Sequence, residues 1–422
     1  MKPKTILPFA ALSTVPFIMV LGNSMLIPVL PKIRSVLNLT QLQTGFLVTA
    51  FSVPAGLVIV FVGILSDRIG RKNVISPSLV VYGLGGVGAA LAAVFLERPY
   101  APILAARVVQ GIGAAGTAPI AMALAGDMFQ SQERSKALGI LEASNGLGKV
   151  LSPVLGAGAA LLAWWAPFVL YAALSIPAAT GVWVLSPEPK RKQAQQTPIR
   201  DYFSDLGKVL KAKGWSLIAC YLAGAVVLFV LFGVLFYFSD LLEGRFKVGG
   251  LLKGVLIALP ILVMAVTSFL TGLFMQRHRS MLKTATWVGL AIIAGALTAL
   301  ALLQVPLWLG VFTVLVGLGS GFVLPSLNTM VTSAASGRTR GMVTSVYGAV
   351  RFFGVATGPP AFGWLMDKGR LAVFVPPAVV AGAAALFVLL MLNQKLLTPP
   401  KGEGNSQDRG GDPMQSRQPD VI

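Results

Sequence analysis

Stretches of some twenty apolar residues recur along the whole chain, and no other feature constrains its fold as tightly. A helix that crosses a bilayer needs roughly 20 predominantly apolar residues, and the sequence supplies about twelve such segments. They are 7–31, 43–65, 74–95, 100–126, 135–161, 164–186, 214–238, 250–274, 283–303, 306–332, 341–364 and 371–393. Of 422 residues, 55% are hydrophobic and only 12% charged, more apolar surface than a soluble core would bury. In hydrocarbon each backbone N–H and C=O must be satisfied within its own segment, so helices are expected throughout. The expected fold is an all-α integral membrane protein with twelve transmembrane helices. The first segment carries Pro8, Pro16 and Pro28, lacks a small-residue cleavage site and exceeds a signal-peptide core, so it reads as a retained helix.

A formal net charge of +19 would suggest nucleic acid as the partner of a soluble protein. Here the placement of the charge points elsewhere. Lys and Arg concentrate in alternate loops: Arg68 to Lys72, Arg134 and Lys136, Lys190 to Lys213, Arg277 to Lys283, Arg338 and Arg340, and the tail. That asymmetry is the positive-inside rule and places both termini in the cytoplasm, with the chain in the cell membrane of a bacterium. The bilayer is the expected partner and nucleic acid is not. A single cysteine, Cys220, and a single histidine, His278, offer no disulfide, metal cluster or His-based triad. With no nucleophile motif and no phosphate loop, no cofactor, enzymatic chemistry or direct ATP use is expected.

The longest polar connection, 187–213, divides the chain into two six-helix bundles, 1–186 and 214–395, and a polar tail, 396–422, is expected to be disordered. An internal repeat crosses this boundary. Shifting by 206 residues lays Gly111, Gly113 and Pro119 on Gly317, Gly319 and Pro325, Arg134 on Arg340, Gly148 on Gly354, and Pro153 on Pro359. Repeats of this kind build pseudo-symmetric transporters.

Between the second and third segments lies Gly63-Ile-Leu-Ser-Asp67-Arg68-Ile-Gly70-Arg71-Lys72, a tight turn with glycines and cations. Asp67 suits hydrogen bonding to a neighbouring helix N-terminus, where the dipole favours an anion. A weaker counterpart, Gly272 to Arg279, has Gln276 in place of the acid. Four ionisable side chains read as intramembrane: Arg107, Glu142, Lys149 and Arg351. Each needs a water-filled cavity or a partner. Glu142, Asn145 and Lys149 share one helical stripe.

The pattern G-x-L-S-D-R-x-G-R-K resembles the loop 2–3 signature of the major facilitator superfamily. Arg107-Val-Val-Gln-Gly111-Ile-Gly113-Ala-Ala resembles its helix-4 motif. Gly148-x-x-x-Ser152-Pro153-x-x-Gly156 resembles the antiporter motif of its drug exporters, with Ser152 and Lys149 as departures, and Gly354-x-x-x-Gly358-Pro359 is a second copy. The glycines and prolines serve close helix packing. The resemblance implies that Asp127 pairs with Arg71 and latches the outward-open state. It also implies that Arg107 tunes a nearby acid for proton coupling, although bonding to backbone carbonyls would equally explain that arginine. Glu142 is then the candidate proton carrier, or else a structural partner of Lys149. Asn23 stands where many drug exporters carry an aspartate; its surroundings resemble exporters of Gram-positive bacteria, some of which export siderophores. Asn23, Asn145, Lys149, Tyr347 and Arg351 are the candidate cavity residues, and the two cations favour an anionic or zwitterionic substrate. The implied function is export of a small organic molecule in exchange for protons, by a monomer working through alternating access. Proton-coupled uptake, uniport or anion exchange, and lipid or glycolipid flipping stay open as alternatives.

Overall fold

A computed structural model describes residues 3–129, 131–188, 199–303, 306–335 and 337–398. The regular structure among them is helical: α1 (Pro3–Ser24), α2 (Leu30–Leu37), α3 (Gln41–Ile69), α4 (Lys72–Phe95), α5 (Tyr100–Ala115), α6 (Ala118–Met128), α7 (Ser131–Leu162) and α8 (Ala166–Leu185). There follow α9 (Ile199–Gly244), α10 (Gly250–Arg277), a 3₁₀ turn (Arg279–Met281), α11 (Leu282–Leu302), α12 (Pro306–Ser333), α13 (Gly337–Met366), α14 (Arg370–Met391) and α15 (Gln394–Leu397).

Local sequence explains several boundaries that differ from the segment reading. The first segment, expected to run to residue 31, ends at Ser24, turns, and resumes as α2 with a proline in its first turn. Pro28 disfavours helical backbone in the residue before it, which breaks the run. The fourth segment is likewise two helices, parted at Gly116 and Thr117. α3 opens on a capping box: Thr40 Oγ1 accepts the Gln43 N–H at 3.1 Å and Gln43 Oε1 accepts the Thr40 N–H at 2.9 Å. The connection expected over 187–213 is helical from Ile199 onward and meets the seventh segment at Gly214, whose φ of 34° breaks the helix. Its Val209 and Leu210 pack on the core, which gives that stretch a reason to fold. Residues 189–198 and the tail from 399 lie outside the described residues.

Ten helical stretches among the described residues are long and apolar enough to cross a membrane, α5 and α6 counting as one. α7 and α13, at 32 and 30 residues, are long enough but carry more polar side chains; they bring the crossings to the expected twelve. These two occupy equivalent positions in the packing. α7 lies between α1 and α10, and α13 lies between α9 and α3. The glycine motifs sit in those contacts: a Cβ on Gly148 or Gly156 would collide with the α1 backbone or the turn after it, and one on Gly354 or Gly358 with α9. Gly111 and Gly113 press in the same way on α3 and α4, while Pro153 faces Gly254 of α10 and Pro359 faces Gly45 of α3.

Candidate functional site

α7 and α13 carry the polar side chains expected inside the membrane. Lys149 is half-buried and within electrostatic range of Glu142, two turns away on α7, and of Arg351 on α13. Arg351 lies over the Tyr347 ring, 5.3 Å from its centroid, and Tyr347 stacks on Tyr221 of α9 at 6.0 Å. Tyr347 is buried, yet its hydroxyl has no hydrogen-bond partner among the described residues, and neither has Arg351 Nε. Asn145 is buried and donates a long bond, 3.4 Å, to the Pro16 carbonyl on α1. Two cations from opposite helix groups and an aromatic pair therefore face one region, with donors left over. Such a set can hold a carboxylate, a phenolate or another flat anion through charge-assisted bonds and ring contacts.

Arg107 is elsewhere. It is fully buried. Its Nε donates to the Leu47 carbonyl at 3.1 Å and one terminal nitrogen to Gln110 Oε1 at 2.6 Å. The other terminal nitrogen donates to the Gly22 carbonyl at 2.7 Å and to Asn23 Oδ1 at 3.1 Å. The guanidinium also stands 4.6 Å from the Phe51 ring centroid. Glu142 is not among these partners; the bonds run to two backbone carbonyls and two side-chain amide oxygens. Asn23 is drawn into the same knot and passes it on, its amide donating to Ser52 Oγ at 2.7 Å. Arg107 and Asn23 thus join α1, α3 and α5 rather than line an open site.

At the end of the helices bearing the Asp67 loop, Arg71 Nε contacts Asp127 Oδ2 at 2.5 Å and its terminal nitrogen lies 3.4 Å from Asp67. Gly70 closes α3 at a φ of 101°, a conformation only glycine adopts freely. Glu188 accepts the backbone N–H groups of Arg71 at 2.9 Å and Lys72 at 2.7 Å and so caps the N-terminus of α4. Arg68, Asp67 and Gly63 lie on the same loop and its helix, with Gly63 facing Ser345 of α13. Arg71, the residue before α4, and Asp127 on α6 both belong to the first half of the chain.

The opposite end holds charges that the sequence reading passed over. Arg34 of α2 pairs with Asp240 of α9 at 2.8 Å, and Ser239 Oγ donates to the Ile27 carbonyl at 2.7 Å. Beside them Lys253, 2% exposed, pairs with Glu243 at 2.6 Å. Asp240 and Glu243 sit just beyond a long apolar run, a hint of a buried charge cluster, but the partner came from a segment expected to end at residue 31.

The Major Facilitator Superfamily model matches residues 12–359 and 283–418. Over 387 residues the chain is 37% identical to the bacillibactin exporter of Bacillus subtilis, covering 91% of this chain and 96% of that protein. It is 26% identical over 366 residues to multidrug resistance protein 2 of the same organism, covering 83% of this chain and 86% of that one. Among solved structures, a bacterial homologue of the human lysosomal transporter Spinster, in its inward-facing and unoccupied conformation, aligns with a TM-score of 0.73 at 20% identity. That alignment covers 94% of this chain and 97% of the other.

Proposed function

Because this chain belongs to the major facilitator superfamily, we propose that it exports an anionic small organic molecule of siderophore or drug-like type in exchange for protons. It is a multi-pass membrane transporter of a small molecule, not an enzyme. The observation that carries the finer reading is that Lys149 on α7 is within electrostatic range of Arg351 on α13, which lies over the Tyr347 ring. A siderophore exporter at 37% identity supports the same substrate class.

In this reading the helices up to α8 and those from α9 onward are the two bundles that rock against each other. With the termini in the cytoplasm, as the basic loops favour, the Arg34–Asp240 tie closes the outer side. Lys149 and Arg351 then take the anion from the inner side. Glu142 is the candidate proton carrier, because the Lys149 ammonium two turns away acts on it electrostatically and links its protonation to whether an anion has arrived. The cation pair, with Arg107 bound to no acid, favours anion exchange as the second reading.

Proteoliposomes with an imposed pH gradient separate the two. Proton movement triggered by an anionic siderophore, present in wild type and lost in Glu142→Gln, is the expected result. Substrate movement without proton flux in either protein would replace antiport by exchange.

A further inference from the structure

Away from that route, a basic loop and an apolar furrow meet at the Arg71 end of the second helix group. α10 and α11 both pack on α12, and between them runs a furrow of about 470 Å³ lined by Leu270, Phe274, Met275, Met281, Val288 and Phe322. Leu270, Phe274 and Met281 are exposed, which in a membrane helix means exposed to lipid. Thr271 also lines the furrow, and its buried hydroxyl has no hydrogen-bond partner among the described residues. Arg277, Arg279 and Lys283 neighbour the lining residues Met275, Met281 and Thr284 in sequence, and none of them is ion-paired among the described residues.

The loop is held in place. Gln394 of α15 accepts the Lys283 backbone N–H at 2.8 Å and donates to the Arg279 carbonyl. His278 stacks on Phe274 at 4.3 Å, joining loop and furrow into one surface. The repeat sharpens the point. The 206-residue shift places Arg277 on Arg71 and Ser333 on Asp127, so the acid that pairs with Arg71 has no counterpart at that position. The first copy of this loop neutralises its arginine internally, whereas the second leaves three cations beside an apolar groove.

We propose that this furrow and loop bind an anionic phospholipid of the adjoining leaflet. One acyl chain lies in the furrow, and the phosphate rests on Arg277, Arg279 and Lys283. Thr271 lies six residues before Arg277 on the same helix, about 9 Å deeper, where its hydroxyl meets the glycerol ester carbonyls. Selection between lipids comes from the charges, since any lipid offers an acyl chain; each cation is worth about fivefold in favour of an anionic headgroup.

The test is native mass spectrometry of the purified full-length protein with equal amounts of phosphatidylglycerol and phosphatidylcholine. Wild type should retain phosphatidylglycerol in preference. Arg279→Gln should lower that preference about fivefold, and the triple Gln variant at 277, 279 and 283 should abolish it. Ala285→Phe, which fills the furrow, should lower retention of both lipids. Equal retention by wild type, an unchanged ratio in Arg279→Gln, or displacement of the lipid by millimolar inorganic phosphate would overturn the proposal. The last result would mean that a soluble anion is bound instead. The single variant keeps the test decisive if the triple variant does not fold.

Discussion

Arg107 shows how a membrane protein keeps a charge in its core without an acid. Four charge-assisted hydrogen bonds and the Phe51 ring replace the water it left. Arg107→Leu strands two carbonyls, Asn23 and Gln110 at once, each costing about 1–3 kcal/mol. The expected outcome is a large fall in thermal stability in detergent. Arg107→Lys should recover only part of it, because a point charge cannot reproduce the planar fork. A fall confined to transport, with stability intact, would contradict this structural role. For Lys149 the expectation is reversed. Lys149→Ala should leave stability nearly unchanged and raise KM for an anionic substrate tenfold or more, while a cationic dye is unaffected. Lys149 and Arg351 were legible in the sequence because charges inside apolar runs are few. For Arg107, bonding to backbone carbonyls was one of two readings the sequence left open, and its particular partners, two carbonyls with Gln110 and Asn23, are set by the fold.

Among the helices, two contacts organise the rest. Glu188 caps α4 from beyond the end of α8, fixing the Asp67 loop from behind. A charged acceptor at a helix N-terminus is worth about 1 kcal/mol, and Glu188→Gln should raise hydrogen exchange in the first turn of α4 by about fivefold. Unchanged protection there would remove Glu188 from that role. Gly354 lies where α13 meets the Ala225 carbonyl of α9, so Gly354→Val should separate the two helices and reduce the yield of folded protein. The spans themselves were readable because the length of an apolar run sets the length of a membrane helix. The broken first and fourth spans and the helical start of α9 were not, because proline, Gly116 and Gly214 act through local backbone geometry that apolar content hides.

For the molecule as a whole, the repeat and the Arg34–Asp240 pair belong together. Residues 34 and 240 are themselves related by the 206-residue shift, so the pair joins equivalent points of the two halves. Under the proposed rocking of one half against the other, a bond there would exist in one state and not in the other. This makes it a better candidate for a state-specific latch than Arg71–Asp127, which stays within one half. A partly exposed pair contributes about 1 kcal/mol, so Asp240→Asn should shift the population towards the form open at that end about fivefold. Spin-label distances between α2 and α9 would show it. Cys220 is the sole cysteine and is buried, leaving labels free to be placed elsewhere. The pairing was invisible in the sequence because only the folded chain brings α2 to α9. The central claim, export of an anion past Lys149 and Arg351, is tested most directly by uptake into inside-out vesicles under a proton gradient. The substrates are a catecholate siderophore and a cationic dye, with wild type and Lys149→Ala compared. The account predicts gradient-dependent uptake of the siderophore that falls tenfold or more in the variant. Uptake equal in both proteins, or uptake of the dye alone, would contradict it.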